Sequence, residues 1–177
     1  MATEGEVLNR SFLGGFAAAE PDWDAVYAEQ LPRVYNFLRY RVANNAVAED
    51  LTSRTFEKAW AARLRYRRDL AAFSTWLISI ARNVATDHLR TLKQHVPLEA
   101  ADEVAATRTP LDDATLDSDL ARLGALLKTL PQREQELVAL KYGAEATNRA
   151  IAELTGLSES NVGTILHRAV QTLRRNW

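Results

Sequence analysis

Cysteine is absent from this chain of 177 residues. Disulfides and thiolate zinc sites are thereby excluded, and the absence suits a reducing compartment without demanding one. Long apolar runs are missing too, and nothing approaches the roughly 18 consecutive apolar residues of a membrane span. The stretch from Phe12 to Ala19 is short, and acidic Glu4 and Glu6 precede it where a secretory signal carries positive charge. The expectation is a cytoplasmic protein without membrane insertion. Glycine is sparse at 7 residues. No Gly-rich phosphate loop, Gly-x-Ser-x-Gly elbow or His-Glu-x-x-His element is found. The three histidines, His88, His95 and His167, do not cluster at metal-ligand spacing. These absences argue against an enzyme, and no catalytic residue, metal ligand or cofactor is expected.

What is present is charge, distributed unevenly. The net charge is −1, which on its face disfavours a nucleic-acid partner. Yet residues 1–30 sum to −5, residues 31–93 to +7, residues 94–119 to −6 and residues 120–177 to +3. Two basic blocks are hidden by two acidic segments, and a basic block of that size attracts a polyanion even in a neutral chain.

Apolar periodicity is helical throughout. Val26, Tyr27, Leu31, Val34, Tyr35, Leu38 and Val42 recur at three- and four-residue steps. Asn44-Asn45 interrupts them, and Val47, Leu51, Phe56 and Trp60 continue a second stripe with Asn45 as its expected N-cap. A third pattern runs from Ala72 to Leu92 through Phe73, Trp76, Leu77, Ile80 and Val84. Residues 94–118, with Pro97, Pro110 and several acids, lack periodicity and read as a linker. A second helical block resumes at Leu120, with Pro131 expected in the first turn of one of its helices. The fold expected is all-α: two small helical domains at 22–93 and 119–177, a flexible acidic linker at 94–118, and an N-terminal extension at 1–21.

The most informative stretch is Asn148 to Leu173. A short helix ends at Gly156, Leu157 fills the corner, and Ser158 caps a longer helix with Val162, Leu166, Ala169, Val170 and Leu173 on its inner side. This is a helix-turn-helix, whose second helix enters the major groove by its N-terminal residues. Ser158, Ser160, Asn161 and Thr164 stand at its start, with His167 and Arg168 one turn on. Asn bonds adenine bidentately, Ser and Thr meet bases or phosphates, and Arg149 and Arg168 suit phosphates. An αα-hairpin that merely packs is the plainer reading.

Between the second and third helices lies Arg63-Leu64-Arg65-Tyr66-Arg67-Arg68. Arginines around one tyrosine suit single-stranded nucleic acid, where backbone charge and base stacking both contribute, although a solvated loop has the same composition. Phe73 and Trp76, spaced with Leu77 and Ile80, read as core. Asn83, Asp87 and Arg90 recur at steps of four and three and share one polar face of the third helix.

These residues carry a family resemblance. Ala48 to Trp60 resembles region 2.2 of the RNA polymerase sigma factors of the sigma-70 superfamily, extracytoplasmic-function (ECF) type. Phe73 to Asn83, continuing to Asp87 and Arg90, is similar to regions 2.3 and 2.4. Leu130 to Glu136 with the helix-turn-helix resembles region 4. The resemblance covers about residues 22–93 and 119–177. It implies an alternative sigma factor that binds RNA polymerase core, with Glu49, Asp50 and Glu57 as polar contacts. It implies capture and melting of the −10 element as single strand by Arg65, Arg67, Arg68, Asn83, Asp87 and Arg90. The −35 duplex is then read by Arg149, Ser158, Ser160, Asn161, Thr164, His167 and Arg168. Members of the family are often held by an anti-sigma factor, which is a further implied partner. The chain departs from the pattern at Ser53-Arg54, where Gln-Glu is usual, and at Gly163 and Ile165, where Lys and Arg are common. Two other readings remain: a helix-turn-helix repressor or activator that works without polymerase, and an all-helical adaptor with no DNA role.

Overall fold

A computed structural model describes residues 22–95 and 116–177, and among these all regular structure is helical. The expected extension at 1–21, and residues 96–115 of the expected linker, lie outside the described residues.

Local chemistry sets the helix starts. Asp22 accepts from the backbone N–H of Asp24 and Ala25 and opens α1, Trp23–Val42. Asn44, not Asn45, caps α2, Asn45–Ala62, by accepting from Val47 N–H at 3.0 Å. The two asparagines are adjacent, and the one with extended backbone takes the cap. A 3-10 turn, Arg63–Arg65, and an irregular loop lead to α3, Phe73–His95. The second block holds α4, Leu116–Lys128, and α5, Gln132–Val138. Pro131 stands one residue before α5 with extended backbone rather than inside its first turn. A π-turn, Ala139–Gly143, follows α5, and then α6, Asn148–Thr155, and α7, Glu159–Asn176.

The buried apolar residues of the two blocks join in one core cluster. Val34, Phe37 and Leu38 of α1 meet Leu51 and Ala59 of α2 and Leu77, Ala81, Val84 and Ala85 of α3, all buried. Leu127, Leu137, Leu140, Ile151, Val162, Ile165, Leu166 and Ala169 are among the buried residues of the second block. Each large aliphatic side chain so buried contributes about 1.5–3 kcal/mol.

The two blocks also pack on each other, chiefly α1 against the π-turn and α5, and α3 against α6. In the π-turn, Ala144 N–H donates to Ala139 C=O at 3.0 Å, five residues back. The wider turn lays Gly143 directly on α1. A Cβ there would stand 2.8 Å from both Cα and N of Phe37, closer than real atoms approach, so this contact requires glycine.

Candidate nucleic-acid interface

In the second block, the corner between α6 and α7 is built as a helix-turn-helix. Thr147 caps α6 by accepting from Ala150 N–H, and Gly156 ends it at φ 71°, a left-handed conformation that costs glycine nothing. Ser158 then caps α7, its hydroxyl oxygen accepting from Asn161 N–H at 3.2 Å. Val162, Ile165, Leu166 and Ala169 hold the inner face of α7. Ser160, Asn161, Thr164, His167 and Arg168 are exposed on the outer face. Ser158 is therefore committed to the cap, and the Thr164 hydroxyl donates back to Ser160 C=O at 3.1 Å. Arg149 projects from α6 and pairs with Glu153 at 3.5 Å, largely in solvent. Ile165 is only 5 % exposed, so this departure from the family pattern belongs to the core of the domain.

In the first block, Asn83, Asp87 and Arg90 are all exposed on α3, with Arg90 bonded to Asp87 at 3.0 Å. The loop before α3 exposes Arg65, Arg67 and Arg68. Arg67 grips Asp69 through two nitrogens, at 3.0 and 2.6 Å. That contact raises the pKa of Arg67 and holds the Asp69 carboxyl below its ordinary range.

Tyr66 differs from its expected role in base stacking. Its ring lies 5.1 Å from those of Phe73 and Trp76, and its hydroxyl donates to Ala71 C=O. The tyrosine anchors the loop onto the aromatic cluster, which Trp23 and Trp60 extend. Arginines are presented outward because their neighbour turns inward.

Glu49, Asp50 and Glu57 line the exposed side of α2. Since α2 begins at Asn45, Glu49 and Asp50 sit beyond its first turn, where the helix dipole is weaker. Asp50 pairs at 3.0 Å with Arg54, one of the positions that depart from the family pattern.

Three arginines that sequence reasoning passed over prove central. Arg82, beside Asn83 on α3, donates Nε to the Glu136 carboxylate and NH1 to Leu154 C=O at 2.7 Å. Arg41 of α1 is 3 % exposed and donates to Gln135 Oε1. Arg33 pairs with Glu145 at 3.3 Å. Each reaches from the first block to the second. Spacing within one helix reveals no partner 54 to 112 positions away, and in hindsight an arginine at the inward-facing position 41 was the available signal.

Among the described residues, no group of three or more His, Asp or Glu side chains is placed to hold a metal ion, and no helix is long and apolar enough to cross a membrane.

Comparison with known proteins accords with this geometry. The Sigma-70 region 2 family model matches residues 26–95, and the Sigma-70, region 4 model matches residues 120–173. The chain is 35% identical over 159 residues to the RNA polymerase sigma factor CarQ of Myxococcus xanthus, covering 88% of this chain and 89% of that protein. It is 33% identical to the ECF RNA polymerase sigma factor BldN of Streptomyces coelicolor, covering 89% of this chain but 61% of BldN, so it spans less than two thirds of that relative. In fold it is similar to the sigma factor RpoE solved in complex with the anti-sigma factor NepR from Bartonella quintana. There the TM-score is 0.72 at 22% identity, covering 88% of this chain and 96% of that one. It is also similar to CnrH, solved in complex with the cytosolic domain of CnrY, with TM-score 0.66, 21% identity, and 86% and 85% covered. With both family regions present in order along one helical chain, the protein belongs to the ECF-type sigma factors of the sigma-70 family.

Proposed function

We propose that this chain is an alternative, non-enzymatic sigma factor that binds RNA polymerase core and directs it to particular promoters. The observation that carries the reading is the pairing of two different DNA-facing surfaces in one chain. One is a capped recognition helix with a polar outer face, and the other is a polar helix face preceded by an arginine loop. The first suits duplex DNA and the second suits an opened strand.

In this reading the unit at 22–93 docks on polymerase through Glu49, Asp50 and Glu57. Asn83, Asp87, Arg90, Arg65, Arg67 and Arg68 capture the −10 element, with Asn83 the principal base contact. Extruding a base exchanges its stacking energy for pocket contacts, a few kcal/mol per base. The unit at 119–177 reads the −35 duplex, Asn161 by base edge and Arg149 and Arg168 by phosphate, with Ser160, Thr164 and His167 beside them. Ser158 contributes by holding the start of α7. The acidic segment 94–118 joins the units, and residues 1–21 extend the first. The protein acts where polymerase is, in the cytoplasm, and an anti-sigma factor is its proposed regulator.

The test is co-elution of the purified protein with bacterial RNA polymerase core in the absence of DNA. Stoichiometric co-elution, weakened by Asp50→Ala, supports the reading. No association at micromolar concentration, together with tight binding to duplex DNA alone, replaces it with a conventional helix-turn-helix regulator. Neither kind of binding leaves an adaptor.

A further inference from the structure

A cavity of about 300 Å³ lies in the first unit, between α1, the arginine loop and the start of α3. Small-molecule sites run from about 300 to 1,000 Å³, so this one suits a small ligand. Its α1 wall belongs to neither of the DNA surfaces assigned above. Gln30, only 5 % exposed, forms part of that wall. Its Nε2 donates to Glu29 Oε1 at 3.0 Å, while its Oε1 is buried and has no hydrogen-bond partner among the described residues. The carboxylate fixes this orientation, because turning the amide over would set two acceptors against each other. A buried acceptor left open in this way calls for a donor.

The wall contributed by the loop and α3 offers the opposite chemistry. Arg68 lines the cavity, is exposed, and has no partner among the described residues. Ser74 adds a hydroxyl on the same side. The first intrahelical bond of α3 runs from Trp76 N–H to Ala72 C=O at 3.0 Å. The N–H groups of Phe73 and Ser74 therefore stand before it, and Ala72 has no side chain to cap them. Arg33 also reaches the cavity, but Glu145 takes it at 3.3 Å. Glu29 then balances Arg68, and the lining is close to neutral. Val26, Phe73 and the ring of Tyr66, whose hydroxyl is spent on Ala71 C=O, supply apolar surface.

We propose that this cavity binds a free apolar α-amino acid. The ammonium meets Gln30 Oε1 and Glu29, the carboxylate meets Arg68, Ser74 and the start of α3, and the side chain lies against Val26 and Phe73. An anion alone would leave Gln30 unpaired and face Glu29. A cation alone would leave Arg68 and the start of α3 unmatched. A small neutral ligand with a charge at each end satisfies both walls by charge-assisted hydrogen bonds. Occupancy draws Arg68 away from the −10 strand, so the ligand weakens strand capture. That consequence rests on the sigma-factor reading, and the site itself does not.

The test uses the full chain with L-leucine and L-valine at millimolar concentration, and L-glutamate and L-lysine as charged comparators. Binding is read as a raised thermal midpoint and then by calorimetric titration. Expected is one apolar amino acid bound per chain, with the charged pair ineffective. N-acetyl-L-leucine lacks the ammonium and L-leucinamide lacks the carboxylate, and each should bind at least about tenfold more weakly. Gln30→Met removes the open acceptor at similar volume, and Arg68→Gln removes the exposed cation. Each should weaken leucine binding by a similar factor with the helical signal unchanged. Leucine should lower the affinity of the parent for a −10 single strand a few-fold, and leave that of Gln30→Met unchanged.

No binding of either apolar amino acid to the parent, or binding unaltered by both substitutions, would overturn the site. Leucinamide bound as tightly as leucine would overturn the carboxylate contact, and with it the assignment to a free amino acid. Leucine that binds as expected without changing strand affinity would overturn the regulatory consequence. If leucine binds as expected but the chain binds neither strand nor polymerase core, with leucine or without it, the site stands and the sigma-factor reading fails. Should Gln30→Met lose helical signal, Arg68→Gln and the two leucine derivatives decide by the same outcomes.

Discussion

The two units present their exposed polar residues by opposite means. In the second, backbone geometry does the positioning: Gly156 turns the chain, Ser158 caps α7, and every outward residue follows from the helical period. In the first, side chains do it. Tyr66, Phe73, Trp76, Trp23 and Trp60 form a cluster onto which the arginine loop is fastened; of its arginines, Arg67 is paired with Asp69 and Arg63 lies over the Trp60 ring. A regular helix suits a regular duplex, whose groove repeats at a fixed pitch. A loop on an aromatic base suits an opened strand, which has no fixed shape and must be held by charge and stacking.

The comparison is most sharply tested in the core beneath the aromatic cluster. Leu77 is fully buried between α1, α2 and α3, and Leu77→Ala should cost about 2–5 kcal/mol in urea denaturation. Promoter opening should fail while binding to an isolated −35 duplex persists. Simultaneous loss of both would show that the units do not fold separately.

Asn161→Ala should come next, weakening binding to some −35 sequences by about 1–3 kcal/mol and sparing others. Uniform losses across a panel of sequences would remove its base-reading role. Ser158→Ala should cost about 0.5–2 kcal/mol of stability by leaving the Asn161 N–H unsatisfied, read as a lowered thermal midpoint. It should weaken all −35 sequences alike.

Arg168→Ala should also weaken them alike, and reduce the slope of log affinity against log salt by about one. Smallest is Asp69→Asn, which releases the exposed Arg67. Single-strand affinity should rise by only a few-fold, since a solvated pair contributes little. A large rise would mean that the Arg67–Asp69 pair, not the aromatic anchor, controls the loop.

Much of this was legible in the amino-acid order. Gly156, Leu157 and Ser158 announce the helix-turn-helix because a left-handed stop and a hydroxyl cap are local requirements, satisfied by neighbours in sequence. The exposed face of Asn83, Asp87 and Arg90 follows from 3.6-residue periodicity alone. Local rules blur by one residue where two candidates adjoin, as at Asn44 and Asn45, or where a proline suits both the cap and the first turn, as at Pro131.

The inward turn of Tyr66 was not legible, because a tyrosine among arginines satisfies stacking on a base and stacking on Phe73 equally well. Nor was the meeting of Arg82 with Glu136, Arg41 with Gln135, and Gly143 with Phe37. The helices, the Gly156 stop with the Ser158 cap, and the family follow from the amino-acid order alone, since each depends on residues a few positions apart or on patterns repeated along one helix. Which surfaces of those helices touch across the two units was decided only by the tertiary structure. Such contacts depend on shape and charge brought together from distant positions, and no local period encodes them.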